Sequence, residues 1–215
     1  MNNKNQIRDK FLKTRSFLSK SYKEEVNKII ERKVNHYIER YNLTKIAIYI
    51  STENEPNTLN IIEKSLQKGI EVYVPLISNE NNMEFRKITN LETDLELNKT
   101  FNILQPKSHC ELLPNGNYIN TMFMPLVAFD LYLNRLGMGK GFYDRWINEN
   151  KYIGYKIGLS ASSQLSNEAI EAEEFDVRLD NVITEKEIYV PFVEKEEEFD
   201  YDVTYSVFND ETIIG

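Results

Sequence analysis

Two almost wholly apolar runs, joined by one helix-like stretch inside about thirty residues, restrict the fold of this chain more than any other feature. Residues 45–50 read KIAIYI, with three β-branched side chains and no charge after the first position, which suits a strand covered on both faces. Glu55-Pro56-Asn57-Thr58 then offers a helix start, LNIIEKSLQK carries the helix, and Gly69 stands just past its end. Residues 71–75, EVYVP, form the next strand. Strand, helix and strand at this spacing make a βαβ unit, which implies parallel neighbours and a right-handed crossover.

The remaining chain continues the alternation. Residues 3–18 read as a first helix. Ser21 stands three residues before Glu24, the spacing of a capping box, and Val26, Ile30, Val34 and Ile38 follow at helical intervals. MEFRKI reads as a strand, 95–106 as an irregular excursion, and 77–82 and 107–118 as loops. Residues 118–129 read as a second strongly apolar strand leading into a glycine-rich turn. A helix over 140–150 and strands over 152–159 and 181–190 complete the order. The expectation is an α/β fold: a mostly parallel sheet with helices on both faces, in a single domain over residues 1–192.

Charge becomes informative once it is located. The chain carries −8, of which eight acids against Lys195 alone place −7 in residues 193–215, leaving the body near −1. This acidic C-terminal tail reads as loosely ordered, although Phe199, Tyr201, Val203, Tyr205 and Val207 alternate as in a strand. The first twenty residues are basic, so an anionic ligand is compatible with the acidic total. No basic, aromatic-laced patch points to nucleic acid, and no apolar run reaches membrane-spanning length. With one cysteine, Cys110, and an N-terminal MNNKNQIRDKFLK that lacks an apolar core, a cytoplasmic location is expected. Two scattered histidines, His36 and His109, make no zinc site and no nucleophile–base pair.

The chemistry concentrates between Phe129 and Arg145, at the junction of a buried strand and a helix. In open α/β sheets, ligands bind beyond the carboxyl ends of the strands. Glycines at 137, 139 and 141 let the backbone approach a ligand, and the helix start that follows favours anions. Arg135, Lys140 and Arg145 add fixed positive charge, and Asp144 offers a carboxylate to a cation bridging phosphate oxygens. The stretch is not a Walker A loop, because Gly141 follows Lys140. Alone, such a glycine pattern is more often an ordinary turn; the strand–loop–helix setting and the flanking charges favour a nucleotide triphosphate. On the first helix, Lys4, Arg8 and Arg15 fall within about 40° of one another, bordering the stripe Ile7, Phe11 and Leu18. By itself that is the pattern of snorkelling edge residues.

The run FD…RLG-GKGFYDR resembles the signature of the 5-formyltetrahydrofolate cyclo-ligase family, and the likeness covers roughly residues 4–190 in order. Lys4 and Arg8 match its opening Lys-x-x-Leu-Arg, and Glu55-Pro56-Asn57-Thr58 its glutamate before a helix start. Ile103-Leu104-Gln105-Pro106 matches its Ile-x-x-Pro, and Asp176 to Asp180 followed by Thr184-Glu185 its final acidic pair. Leu126 and Leu133 stand where the family usually has glycine, and Gln105 where glutamate is common. The resemblance implies an ATP- and Mg²⁺-dependent enzyme that converts 5-formyltetrahydrofolate to 5,10-methenyltetrahydrofolate. It implies nucleotide contacts from Lys4, Arg8, Arg135, Leu136, Gly137, Met138, Gly139, Lys140, Gly141, Phe142 and Tyr143. Ile50, Glu55, Phe142 and Tyr143 are implied for the folate, with or without a polyglutamate tail, and Asp144 and Asp176 for Mg²⁺. Lys140 and Arg145 are the expected catalytic cations, and a monomer is expected. Arg15 stays ambiguous. Two other readings remain open: a non-catalytic nucleotide- or folate-binding relative, and a sugar-phosphate isomerase or sensor on a similar scaffold.

Overall fold

The computed structural model describes residues 3–78 and 82–191. Its elements are α1 (Asn3–Ser16), α2 (Lys20–Arg40), β1 (Lys45–Ile48), α3 (Leu59–Gln67), β2 (Glu71–Ile77), β3 (Met83–Ile88), β4 (Leu95–Asn98) and β5 (Ile103–Pro106). There follow β6 (Thr121–Pro125), β7 (Ala128–Phe129), β8 (Arg135–Leu136), α4 (Phe142–Glu149), β9 (Tyr155–Leu159), β10 (Asn181–Ile183) and β11 (Ile188–Tyr189). Seven strands form one sheet in the order β11-β10-β9-β6-β1-β2-β3. The five from β10 to β2 are parallel, and β3 and β11 close the edges antiparallel. β1 therefore has β2 on one side and β6 on the other, so the crevice beyond their carboxyl ends is a topological switch point.

The central strands are largely apolar because each face meets helices. Ile46, Ile48, Val72, Val74, Phe123, Ile157 and Leu159 pack with Val26, Ile30, Val34 and Ile38 of α2 and with Ile61 and Ile62 of α3. Their neighbours Ala47, Tyr73, Met122 and Met124 point the other way, against Trp146 and Ile147 of α4. The period of two in the strands thus feeds two cores. α1 lies apart, seating Ile7 and Phe11 on Val127, Ala128 and Leu136 beside the carboxyl edge.

Several boundaries differ from expectation for local reasons. α2 starts two residues early because Ser19 caps it, its hydroxyl accepting the Tyr22 amide at 3.2 Å, so Ser21 and Glu24 lie inside the helix. α1 ends at Ser16, short of residue 18. The excursion 95–106 is a hairpin, with Leu95 opposite Pro106 and Asn98 opposite Ile103. The apolar run 118–129 breaks after Pro125, and Ala128 and Phe129 pair with Leu136 and Arg135 in a separate ribbon. Residues 181–190 fold back at Thr184, whose hydroxyl accepts the Glu187 amide at 3.1 Å. Residues 193–215, with their alternation from Phe199 to Val207, lie outside the described residues.

Candidate functional site

The glycine-rich loop between β8 and α4 adopts the backbone that glycine favours at two of its three positions: φ is 85° at Gly139 and 65° at Gly141. The glycines also make room for guanidinium groups. A Cβ on Gly137 would lie 3.0 Å from Arg135 Nη1, and one on Gly139 would lie 3.3 Å from Arg8 Cζ. Arg8 donates from Nε to the Gly137 carbonyl at 2.9 Å, which anchors α1 across the loop.

Two ion pairs flank this loop. Arg135, its side chain 5% exposed, donates from Nη2 to both Asp144 oxygens at 3.0 and 2.9 Å. Lys4 binds Asp176 and lies 3.1 Å from Glu173. Asp144 also accepts the Val177 amide at 3.1 Å, which draws Asp176 and its neighbours to the loop. Burial works against the charge of Asp176, yet the Glu173 amide and the Lys4 ammonium outweigh it and hold the carboxyl below its usual range. Burial likewise opposes charge on Lys4, and Asp176 with Glu173 outweighs it, raising the ammonium. Lys4, Arg8, Arg135, Asp144 and Asp176, far apart in the chain, are thus brought together.

Other expected residues fall in several places. Lys140 and Met138 are exposed on the loop, while Leu136 is buried with Ile7 and Phe11, so its side chain packs rather than faces a ligand. Arg145 lies over the Phe142 ring at 5.3 Å. Phe142 meets Phe101, at the tip of the β4–β5 hairpin, edge-on at 6.2 Å. Phe101 was not expected here, because nothing in its local sequence separates it from an ordinary turn aromatic. Among the described residues the buried Tyr143 hydroxyl has no hydrogen-bond partner, nor has Arg135 at Nε. Burial pushes the Tyr143 phenol far up, and nearby Glu55 adds to the effect.

Glu55 stands where the chain leaves β1, beside Pro56 and beyond the buried Ile50. Its carboxylate accepts the Thr52 amide at 2.8 Å and the Thr52 hydroxyl at 2.9 Å. It does not cap α3. There Asn57 accepts the Leu59 amide at 2.8 Å, and Thr58 donates its hydroxyl to the Tyr49 carbonyl at 2.7 Å. Asp130 is a positioning residue that the sequence reading passed over. Only 2% exposed, it accepts the amides of Tyr132, Asn134 and Ile170 at 3.0, 2.9 and 2.8 Å, fixing the turn that delivers Arg135. Leu133, in that turn, has φ of 60° and is fully buried.

Among the described residues no group of three or more His, Cys, Asp or Glu is placed to hold a metal, and no helix is long and apolar enough to cross a membrane. His36 and His109 are exposed, and Cys110 is buried.

The sequence model describing the 5-formyltetrahydrofolate cyclo-ligase family matches residues 1–185. The 5-formyltetrahydrofolate cyclo-ligase of Haemophilus influenzae is 30% identical over 181 residues, covering 83% of this chain and 95% of its own length. That of Mycoplasma genitalium is 28% identical over 185 residues, with 85% and 98% covered. In structure, the chain resembles Aquifex aeolicus 5,10-methenyltetrahydrofolate synthetase with a TM-score of 0.76 at 24% identity, over 94% of this chain and 98% of that one. The Mycoplasma pneumoniae synthetase gives 0.69 at 24% identity, over 85% and 99%. At that identity the superpositions speak for the fold.

Proposed function

This chain belongs to the 5-formyltetrahydrofolate cyclo-ligase family, and on that premise we propose that it converts 5-formyltetrahydrofolate to 5,10-methenyltetrahydrofolate as ATP becomes ADP and phosphate. The folate supplies the nucleophile. Its formyl oxygen attacks the γ-phosphorus, the bond from phosphorus to the bridging oxygen breaks, and ADP leaves. The neighbouring N10 then attacks the formyl carbon and gives up its proton. The carbon–oxygen bond breaks, and phosphate departs as the ring closes. No side-chain nucleophile is needed, which suits a site of cations, carboxylates and backbone amides.

The work left to the protein is positioning and charge neutralisation. Lys4, Arg8, Arg135 and the amides of 137–141 would hold the triphosphate, with Lys140 and Arg145 neutralising charge on the transferring group. Lys140, exposed on the loop, is free of the structural duties that tie down Arg135. Asp144 and Asp176 fit Mg²⁺, which is usually held by one or two carboxylates together with substrate phosphates rather than by an all-protein cage. Bound there, the ion would neutralise phosphate charge. Ile50, Glu55, Phe142 and Tyr143 would face the folate.

The observation that carries this reading is the convergence of Lys4, Arg8, Arg135, Asp144 and Asp176 on a loop in which Gly139 and Gly141 adopt left-handed backbone. The test is to mix the purified chain with 5-formyltetrahydrofolate, ATP and Mg²⁺ and follow methenyl absorbance. Growth of the band that requires ATP supports the reading. No growth, with ATP binding intact, would leave a non-catalytic relative.

A further inference from the structure

Arg15 is a buried cation outside the groups proposed to hold the triphosphate and Mg²⁺. It lies one turn from the end of α1, 6% exposed, and its Nη1 donates to the Leu126 carbonyl at 3.4 Å. That bond is too long to count for much. No carboxylate pairs with Arg15 among the described residues; burial disfavours its charge, and the fields of Glu55 and the Tyr49 hydroxyl offset that only in part. Taking a guanidinium largely out of water without a carboxylate partner is unfavourable. A position used only for packing would favour methionine or leucine. Leu126 follows the carboxyl end of β6 and Glu55 the carboxyl end of β1, so the Arg15 guanidinium lies at the carboxyl edge of the sheet, at the switch point. Thr52 holds one Glu55 oxygen, the other makes no hydrogen bond among the described residues, and the Glu55 charge is felt by the buried Tyr143 hydroxyl.

A buried donor beside a carboxylate acceptor is complementary to a ring edge that presents donors next to an acceptor. The 2-amino-4-oxo pterin has that edge: its amino and ring N–H groups donate, and its 4-oxo group accepts. We propose that Arg15 is a specificity-determining contact, donating to the 4-oxo oxygen of the pterin whose N–H groups Glu55 accepts. The proposal rests on the folate reading above. Arginine cannot accept a hydrogen bond, so a 4-amino group in place of the oxo group would set donor against donor.

The experiment measures binding of 5-formyltetrahydrofolate and of its 2,4-diamino counterpart, without ATP, to the wild-type chain, Arg15→Met and Arg15→Lys. ATP·Mg stabilisation is followed on the same preparations. The wild type should favour the 4-oxo ligand about 10- to 100-fold, the worth of one charge-assisted hydrogen bond. Arg15→Met should lose most of that preference, the remainder reflecting the ring N–H that the 2,4-diamino ring no longer offers Glu55, Arg15→Lys should keep more of it, and ATP·Mg stabilisation should hold in both. A Met variant that keeps the wild-type ratio, or loses ATP·Mg stabilisation equally, overturns the proposal in favour of a structural arginine. Should Arg15→Met fail to fold, the wild-type ratio decides: equal binding of the two pterins overturns the proposal alone. If neither pterin binds the wild type, the folate reading falls, and the proposal with it.

Discussion

At the amino edge of the sheet, Asp180 accepts the Lys156 amide at 2.7 Å and pairs with its ammonium at 2.8 Å, and Glu71 is held by Lys87 at 2.8 Å. At the carboxyl edge, Arg135 Nε and the Tyr143 hydroxyl are buried without partners among the described residues, and Arg15 has one long bond. The amino edge also has the roomier hollow, about 300 Å³ between Tyr37, Tyr41, Tyr155, Asn181 and Ile183. The cleft beside Glu55 is far smaller, about 30 Å³. Volume and chemistry therefore point to opposite edges. Chemistry is the better guide here, because buried polar groups are normally satisfied and each exception calls for an explanation. Partners made within the fold stabilise it, whereas polar atoms left over are available to a ligand.

The largest expected effect belongs to the carboxyl edge. Lys140 is exposed on the loop and covers little apolar surface, so Lys140→Met should leave the melting temperature almost unchanged. If its ammonium neutralises the transferring phosphoryl group, turnover should fall about a hundredfold to thousandfold. ATP affinity should fall less, since Arg135 and the loop amides remain. Turnover and melting temperature measured on one preparation decide it; normal turnover would remove Lys140 from the chemistry.

Next is Leu133, a buried leucine with φ of 60° at the turn before Arg135. Relief of left-handed backbone in Leu133→Gly should return about 1–2 kcal/mol. Loss of a fully buried leucine side chain costs about 2–5 kcal/mol. The cavity wins, so Leu133→Gly should be destabilised by about 2 kcal/mol in urea unfolding, even though the family usually has glycine there. A stabilised variant would mean that strain, not packing, governs this edge.

Glu55→Gln tests the substrate side more gently. A neutral amide replaces a charged acceptor, so folate binding should weaken about fivefold, by roughly 1 kcal/mol. ATP·Mg stabilisation should be untouched. Equal damage to both ligands would mark Glu55 as a residue of the 52–55 turn and nothing more.

How far the sequence foretold these regions follows from where each signal originates. β1, β2, β6 and β9 are apolar because both faces are covered, and such runs stand out in any window. The hairpin from Leu95 to Pro106 was unreadable because its strands are short and half exposed, with Glu96 and Asn98 among the leucines. The break after Pro125 leaves no mark within an apolar run, since it is decided by pairing with Arg135 and Leu136 ten residues on. The glycine loop was readable because backbone demands and charge lie in one stretch. Arg15 and Phe101 were not, because their meaning comes from partners distant in sequence: Leu126 and Glu55 for one, Phe142 for the other.

The smallest expected effect lies at the amino edge, and its sign is set by pH. Glu71 is held below the usual carboxylate range chiefly by its hydrogen bond to Lys87, and Lys87 is raised chiefly by the same bond. A depressed carboxylate contributes stability that is present above its unfolded value and is lost as pH falls through its folded value. A raised lysine contributes stability that is present below its unfolded value and is lost as pH rises through its folded value. The pair is therefore complete across the neutral range and fails at both extremes. Both side chains are about a quarter exposed, at 26% and 28%, so its worth is below about 1 kcal/mol. Glu71→Gln should lower the urea midpoint slightly at neutral pH, the difference from wild type should vanish in acid, and turnover at neutral pH should be unchanged. Reduced turnover at an unchanged midpoint would mean that the amino edge reaches the site, and the contrast between the two edges would fail. A deficit that persisted in acid would instead trace the loss to packing around Tyr73 and Tyr118, whose hydroxyls also donate to Glu71 at 3.2 and 3.4 Å.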